Sequence, residues 1–111
     1  MDFNEYQKLA KRTADFTGKQ KEFELLYLTL GVAGEAGEIA EKVKKIIRND
    51  EGEVSEEKRE LLKKEMGDVL WYLSQLARYF QIPFSEVAEN NIAKLADRAS
   101  RKVLKSEGDT R

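Results

Sequence analysis

The sequence contains neither cysteine nor histidine. Without cysteine there is no disulfide, no thiolate zinc site and no thiol nucleophile. Without histidine the commonest general base is missing, and with it the usual ligand of zinc, iron and copper. Any metal chemistry must run on oxygen donors, which suit magnesium, manganese or calcium. Proline occurs once, at Pro83, so little stands in the way of long helices. No apolar run approaches the roughly 20 residues needed to span a bilayer. Met1-Asp2-Phe3-Asn4-Glu5 has neither the basic start nor the apolar stretch of a signal peptide. A cytoplasmic protein with no membrane partner is expected. An excess of either charge is lacking too: 20 basic and 21 acidic side chains leave a net charge of −1. That balance gives no global attraction to nucleic acid.

What is present points to helices. The 111 residues suit one domain, and the 41% hydrophobic and 37% charged composition favours amphipathic helices over sheets. Four segments are predicted. The first runs from about Asn4 to Phe16 and stops at Thr17-Gly18. The second, from about Glu22 to Arg48, has Leu25, Leu28, Val32, Ala36, Ile39, Val43 and Ile46 at helical spacing. Gly31, Gly34 and Gly37 lie inside it, each costing roughly 1 kcal/mol relative to alanine, so a close approach of another helix or a ligand is expected there. Asn49 to Glu53 form a polar turn. Ser55 caps a third helix reaching about Phe80, and beyond Pro83 Ser85 is expected to cap a fourth, from Glu86 to Leu104. The expected fold is an all-α, four-helix bundle-like domain over residues 1–104, completed by homo-oligomerisation, with a polar, disordered tail at 105–111. Tyr6, Phe16 and Phe80 are expected in the core.

Two short strings carry the chemistry: Glu35-Ala-Gly-Glu38 and Glu65-Met-Gly-Asp68. Acids at i and i+3 share one side of a helix and repel, the more so when buried. On a wheel of about 100° per residue, Glu35 and Glu65 each fall inside the edge of their helix's apolar arc. Glu38 and Asp68 each lie about 60° further round, in the same sense. Four carboxylates facing a helix interface are unfavourable without cations. Magnesium, or manganese in its place, neutralises them while keeping positions open for substrate phosphate. Taken singly, such a pair is usually a solvated surface, as we take Glu53-x-x-Glu56 and Glu57-x-x-Glu60 to be. Two pairs, each beside a helix-interior glycine and at the edge of a core stripe, favour a site.

Gly34-Glu35-Ala36-Gly37-Glu38, then 26 residues, then Glu65-Met66-Gly67-Asp68-Val69-Leu70-Trp71-Tyr72 resembles the signature of the MazG-like nucleotide pyrophosphohydrolases of the all-α NTP pyrophosphatase superfamily. Leu26-Tyr27-Leu28-Thr29-Leu30 and the Asn91-x-x-Lys94-Leu-x-x-Arg98 string are similar as well, so the likeness runs from about Tyr6 to Arg98. The resemblance implies hydrolysis of a (deoxy)nucleoside triphosphate between its α and β phosphates, giving the monophosphate and pyrophosphate, in a homodimer or homotetramer. Clearance of aberrant nucleotides is one such role. It implies that Glu35, Glu38, Glu65 and Asp68 hold the magnesium ions, and that a glutamate, Glu35 or Glu38, orients or deprotonates the attacking water. Glu41 is a weaker acidic candidate. Asn91, Lys94 and Arg98 lie within about a 60° arc and read as donors to triphosphate oxygens. Tyr72 and Trp71 are candidates to stack on the base, with packing the competing role for Trp71.

Two other readings stay open. A phosphoribosyl-ATP pyrophosphohydrolase-like enzyme shares the acidic logic with a different substrate. A non-catalytic helical interaction module would show no dependence on divalent metal.

Overall fold

The first helix opens with a reciprocal cap. The Asp2 carboxylate accepts from the Glu5 N–H at 2.8 Å, and the Glu5 carboxylate accepts from the Asp2 N–H at 3.2 Å. The computed structural model describes residues 1–101. It comprises α1 (Phe3–Ala10), a 3-10 turn (Lys11–Thr13), α2 (Lys21–Asp50), α3 (Glu56–Tyr79) and α4 (Phe84–Arg101), with no strand among the described residues. The all-α class expected from the sequence is therefore what the chain adopts. No helix among the described residues is long and apolar enough to cross a membrane. The expected tail at 105–111, and the predicted end of the fourth helix at Leu104, lie outside the described residues.

α2 and α3 form an antiparallel hairpin. As α2 advances through Gly31, Lys42 and Asp50, its neighbours on α3 retreat through Tyr72, Glu65 and Lys58. The turn between them follows from its residues. Glu51 and Gly52 take positive φ (55° and 82°), and the Gly52 N–H returns to the Ile46 carbonyl at 3.2 Å. The Ser55 hydroxyl then accepts from the Lys58 N–H, with Glu56 and Glu57 in the first turn facing the positive helix end, as the sequence predicts.

α1 and α4 pack against α3 and each other. Phe84 is buried, with its ring 5.3 Å from Phe3 and 6.5 Å from Tyr6. A polar network ties these parts together. The Gln7 amide donates to the Ser74 and Ile82 carbonyls, both at 3.0 Å. The fully buried Gln75 donates to the Gln7 carbonyl and accepts from Arg78, whose guanidinium reaches Glu24 at 2.5 Å. Each bond in such a network contributes about 1 kcal/mol, and orphaning a buried partner costs more.

Two helix ends differ from expectation, each for a tertiary reason. The first helix tightens after Ala10, because the Ala10 carbonyl is taken by the Trp71 indole N–H (3.2 Å) and the Thr13 hydroxyl (3.0 Å). The Ala14 N–H accordingly pairs with Lys11. The fourth helix begins at Phe84 rather than being capped by Ser85. Gln7 of α1 accepts from the Phe84 N–H, and Asn4 accepts from the Ser85 N–H at 2.9 Å. Side chains of one helix thus satisfy the free amides at the start of another.

The apolar surface also departs from expectation. Leu28, Ile46, Ala77, Phe84 and Ala10 are buried, but Val43, Leu73 and Leu9 are exposed, and Phe80 is 55% exposed rather than core. Thirty residues make α2 about 45 Å long, and α1, with 8 residues, about 12 Å. The short helices cannot sheathe the hairpin, and much of its apolar surface is left open.

Candidate metal centre and active site

The hairpin register sets Glu35 of α2 against Glu65 and Asp68 of α3. One carboxylate oxygen from each lies within 4.8 Å of the other two. Glu35 and Glu65 are half-buried and Asp68 is exposed. Removal from water pushes the Glu35 carboxyl above its ordinary value. The charges of Asp68, Glu65 and Glu38 add to the rise, and Lys42 opposes it. Three of the four carboxylates predicted to hold metal are thus brought together. Glu38 is not part of the trio: its side chain is 59% exposed and points along the hairpin, where Lys42 sits 3.8 Å from it and 3.6 Å from Glu65. Glu41 is turned toward Lys44 at 3.1 Å.

The donor set fits a hard divalent cation. The oxygens are close enough to share one ion, their charges disfavour one another, and the chain offers no imidazole or thiolate to divert it to a softer metal.

Aromatic side chains wall the cluster. Tyr72 lies over Gly31, the one helix-interior glycine in α2 with a close neighbour; beside Gly34 and Gly37 the space is open. The Tyr72 hydroxyl is pushed up to about 12, first by its hydrogen bond with Tyr27, then by burial and by Tyr27, Glu35 and Asp68. Burial, and then Asp68, raises Tyr6 as well. Both phenols therefore remain protonated donors at neutral pH. Tyr27 continues the wall, 6.0 Å from Tyr72 and stacked with Phe23 at 5.9 Å. The Trp71 indole N–H is spent on Ala10 and Thr13, and its ring stands edge-on to Tyr72 at 5.0 Å.

The predicted donors of the fourth helix are placed differently. Asn91 and Lys94 are exposed on α4, and Arg98 is buried. Among the described residues no hydrogen bond or ion pair joins Asn91 or Lys94 to the carboxylates. Lys42 is a neighbour of the site that sequence reading passed over, and Tyr6, expected in the core, is half-buried and within electrostatic reach of Asp68. For Lys42 the signal was present, since it follows Glu38 by four residues on the same face.

A comparison with protein families matches residues 23–103 to the MazG nucleotide pyrophosphohydrolase domain. The chain belongs to that family. The match takes in both acidic strings of the MazG domain and all of α3 and α4 as described, while α1 precedes it. The chain is also similar to a relative, the Gene 37 protein of Mycobacterium phage L5. The two are 42% identical over 87 residues, covering 78% of this chain and 76% of the phage protein. No solved structure matches significantly.

Proposed function

We propose that the protein hydrolyses (deoxy)nucleoside triphosphates to the monophosphate and pyrophosphate, with magnesium held by Glu35, Glu65 and Asp68. The observation that carries this is the meeting of three carboxylates from two helices around a volume one ion would fill, within a MazG domain. When bound there, magnesium supplies Lewis acidity and charge neutralisation at phosphate oxygens; manganese is the expected substitute. Glu38 stands outside the trio on the solvent side, so it is the group we assign to orienting water and taking its proton, with Glu35 the other candidate. Tyr72 and Tyr6 offer phenolic hydroxyls within electrostatic reach of the carboxylates, Tyr72 of Glu35 and Asp68 and Tyr6 of Asp68. The open rings of Tyr27 and Phe23 extend Tyr72 toward a base, and Trp71 holds Tyr72 in place. Asn91, Lys94 and Arg98 are assigned to phosphate oxygens through the family resemblance. The substrates are free nucleotides of the cytoplasm, aberrant ones included, with neither nucleic acid nor membrane as partner.

We assign the active unit to a homo-oligomer, a dimer or tetramer. Leu26, Leu30, Ala33, Gly37, Ala40, Lys44 and Ile47 are all exposed and follow one another by four and three residues in strict alternation along α2. That is the spacing of a helix–helix seam. Leu26, Leu30 and Ile47 leave 61%, 68% and 65% of their surface open, an apolar stripe that a second copy would cover. Light scattering of the purified chain should return at least twice the mass of one protomer, and Leu30→Lys should lower it. A protomer mass at micromolar concentration would remove this part of the proposal.

The activity is tested with a panel of normal and modified ribo- and deoxyribonucleoside triphosphates, with magnesium or manganese. Metal-dependent pyrophosphate release from at least one is expected; none from any would end the enzyme reading. The same panel identifies the base and sugar.

A further inference from the structure

Four residues past Glu38, the hairpin changes sign. Lys42, Lys45 and Asn49 follow one another on one face of α2, and Lys58 stands across on α3. With Ile46 and Leu61 they line a cavity of about 270 Å³. It begins about 6 Å along the helix axis from Glu38, at a rise of 1.5 Å per residue. Across the hairpin, Leu61 and Lys58 precede Glu65 by four and seven residues. The cavity therefore lies in line with the carboxylates, in the same groove.

Three features define what it can hold. The volume, just below the roughly 300–1,000 Å³ of pockets that enclose a whole drug-sized ligand, is ample for a small inorganic anion. The charged lining is three ammonium groups. Lys58 is ion-paired with Asp50, while Lys45 makes no ion pair among the described residues. The third feature is Lys42, which borders both compartments. Its ammonium lies 3.6–3.8 Å from Glu65 and Glu38, at the long end of ion-pair contact, and is 31% exposed. Once those carboxylates are neutralised by another cation, Lys42 has less to hold it there and already stands at the cavity wall. Lysine is a mobile point charge suited to phosphate oxygens.

We propose that this cavity is the subsite for the outer two phosphates of the triphosphate, and so for the departing pyrophosphate, with Lys42 and Lys45 as its ligands and Lys58 as a fixed charge behind them. The assignment rests on the pyrophosphohydrolase reading and extends it. The α-phosphate stays at the carboxylates, where the bond to the β-phosphate oxygen breaks as water adds to the α-phosphorus. Pyrophosphate leaves toward the cationic end of the groove.

The test is Lys45→Glu in the full chain, at fixed free magnesium. The KM for the triphosphate is expected to rise about tenfold, the size of one lost charge-assisted contact, and product inhibition by inorganic pyrophosphate to weaken by a similar factor. Inhibition by the nucleoside monophosphate should be unchanged, a separation that general damage to the fold would not give. Unaltered pyrophosphate inhibition, or equal weakening of both products, overturns the subsite while leaving the hydrolysis standing. If the wild type releases no pyrophosphate from any triphosphate, calorimetry with inorganic pyrophosphate decides the cavity separately. Binding to wild type that is lost in Lys45→Glu supports it, and no binding to wild type overturns it.

Discussion

Asp68→Asn is expected to abolish pyrophosphate release while raising the melting temperature of the metal-free protein. Asp68 supplies one of three oxygens gathered within 4.8 Å, and its charge is the leading electrostatic cause, after desolvation, of the raised Glu35 carboxyl. Replacing the carboxylate by an amide of the same shape removes a ligand, and the expected loss of rate is on the order of a thousandfold or more. The same replacement relieves repulsion that the metal-free fold otherwise bears, a common trade between stability and activity at sites of this kind. The sign with pH follows. A carboxyl raised in the folded state binds its proton more tightly there than in the unfolded chain. The metal-free protein therefore loses stability as pH rises from about the ordinary glutamate value through the raised one. In Asp68→Asn that loss should be smaller. Glu38→Gln should also abolish turnover, whereas Glu41→Gln, turned away toward Lys44, should keep it. Pyrophosphate assays and thermal melts with and without magnesium check each arm. Full magnesium-dependent activity in Asp68→Asn would sink the proposed centre.

The parts of this site that were legible in the sequence are those carried by periodicity. The Ser55 cap and the i, i+3 spacing of the acids depend on residues within a turn of one another, and the cap and three of the four carboxylates are found where spacing places them. Of the three glycines expected to meet a close neighbour only Gly31 does, and its partner Tyr72 lies on another helix. What was not legible depends on residues far apart in the chain. The start of α4 is set by Gln7 and Asn4, separated from their partners by 77 and 81 residues. The tightening of the first helix is set by Trp71, 61 residues from Ala10. The exposure of Phe80, Leu73 and Val43 has another origin. A hydrophobic wheel reports that a face avoids water but does not say whether the same chain or another copy covers it. Lys42 was readable as a helix neighbour of Glu38; that it also reaches Glu65 required the hairpin register.

Gly31→Ala tests how the register serves the site. In an open helix the change should stabilise by up to about 1 kcal/mol, because glycine is the poorer helix former. Here an added Cβ would fall 2.1, 2.2 and 2.6 Å from three carbons of the Tyr72 ring, closer than non-bonded carbons approach. Both the ring and the helix backbone are stiff, so the ring must leave or the helices part. Overpacking of this kind costs typically 1–3 kcal/mol, which outweighs the propensity gain. Gly34→Ala, whose methyl group meets open space in the protomer, should show the gain instead. Displacing Tyr72 also moves a hydroxyl that bonds with Tyr27 and lies within electrostatic reach of Glu35 and Asp68, so kcat/KM of Gly31→Ala should fall by roughly tenfold to a hundredfold. The decisive measurement is the double variant. If the clash with Tyr72 is the cause, Gly31→Ala on a Tyr72→Ala background should be neutral or stabilising in thermal melts, a coupling of at least about 1 kcal/mol. If Gly31→Ala costs the same with and without the Tyr72 ring, the glycine serves some other contact and Tyr72 is not placed by it.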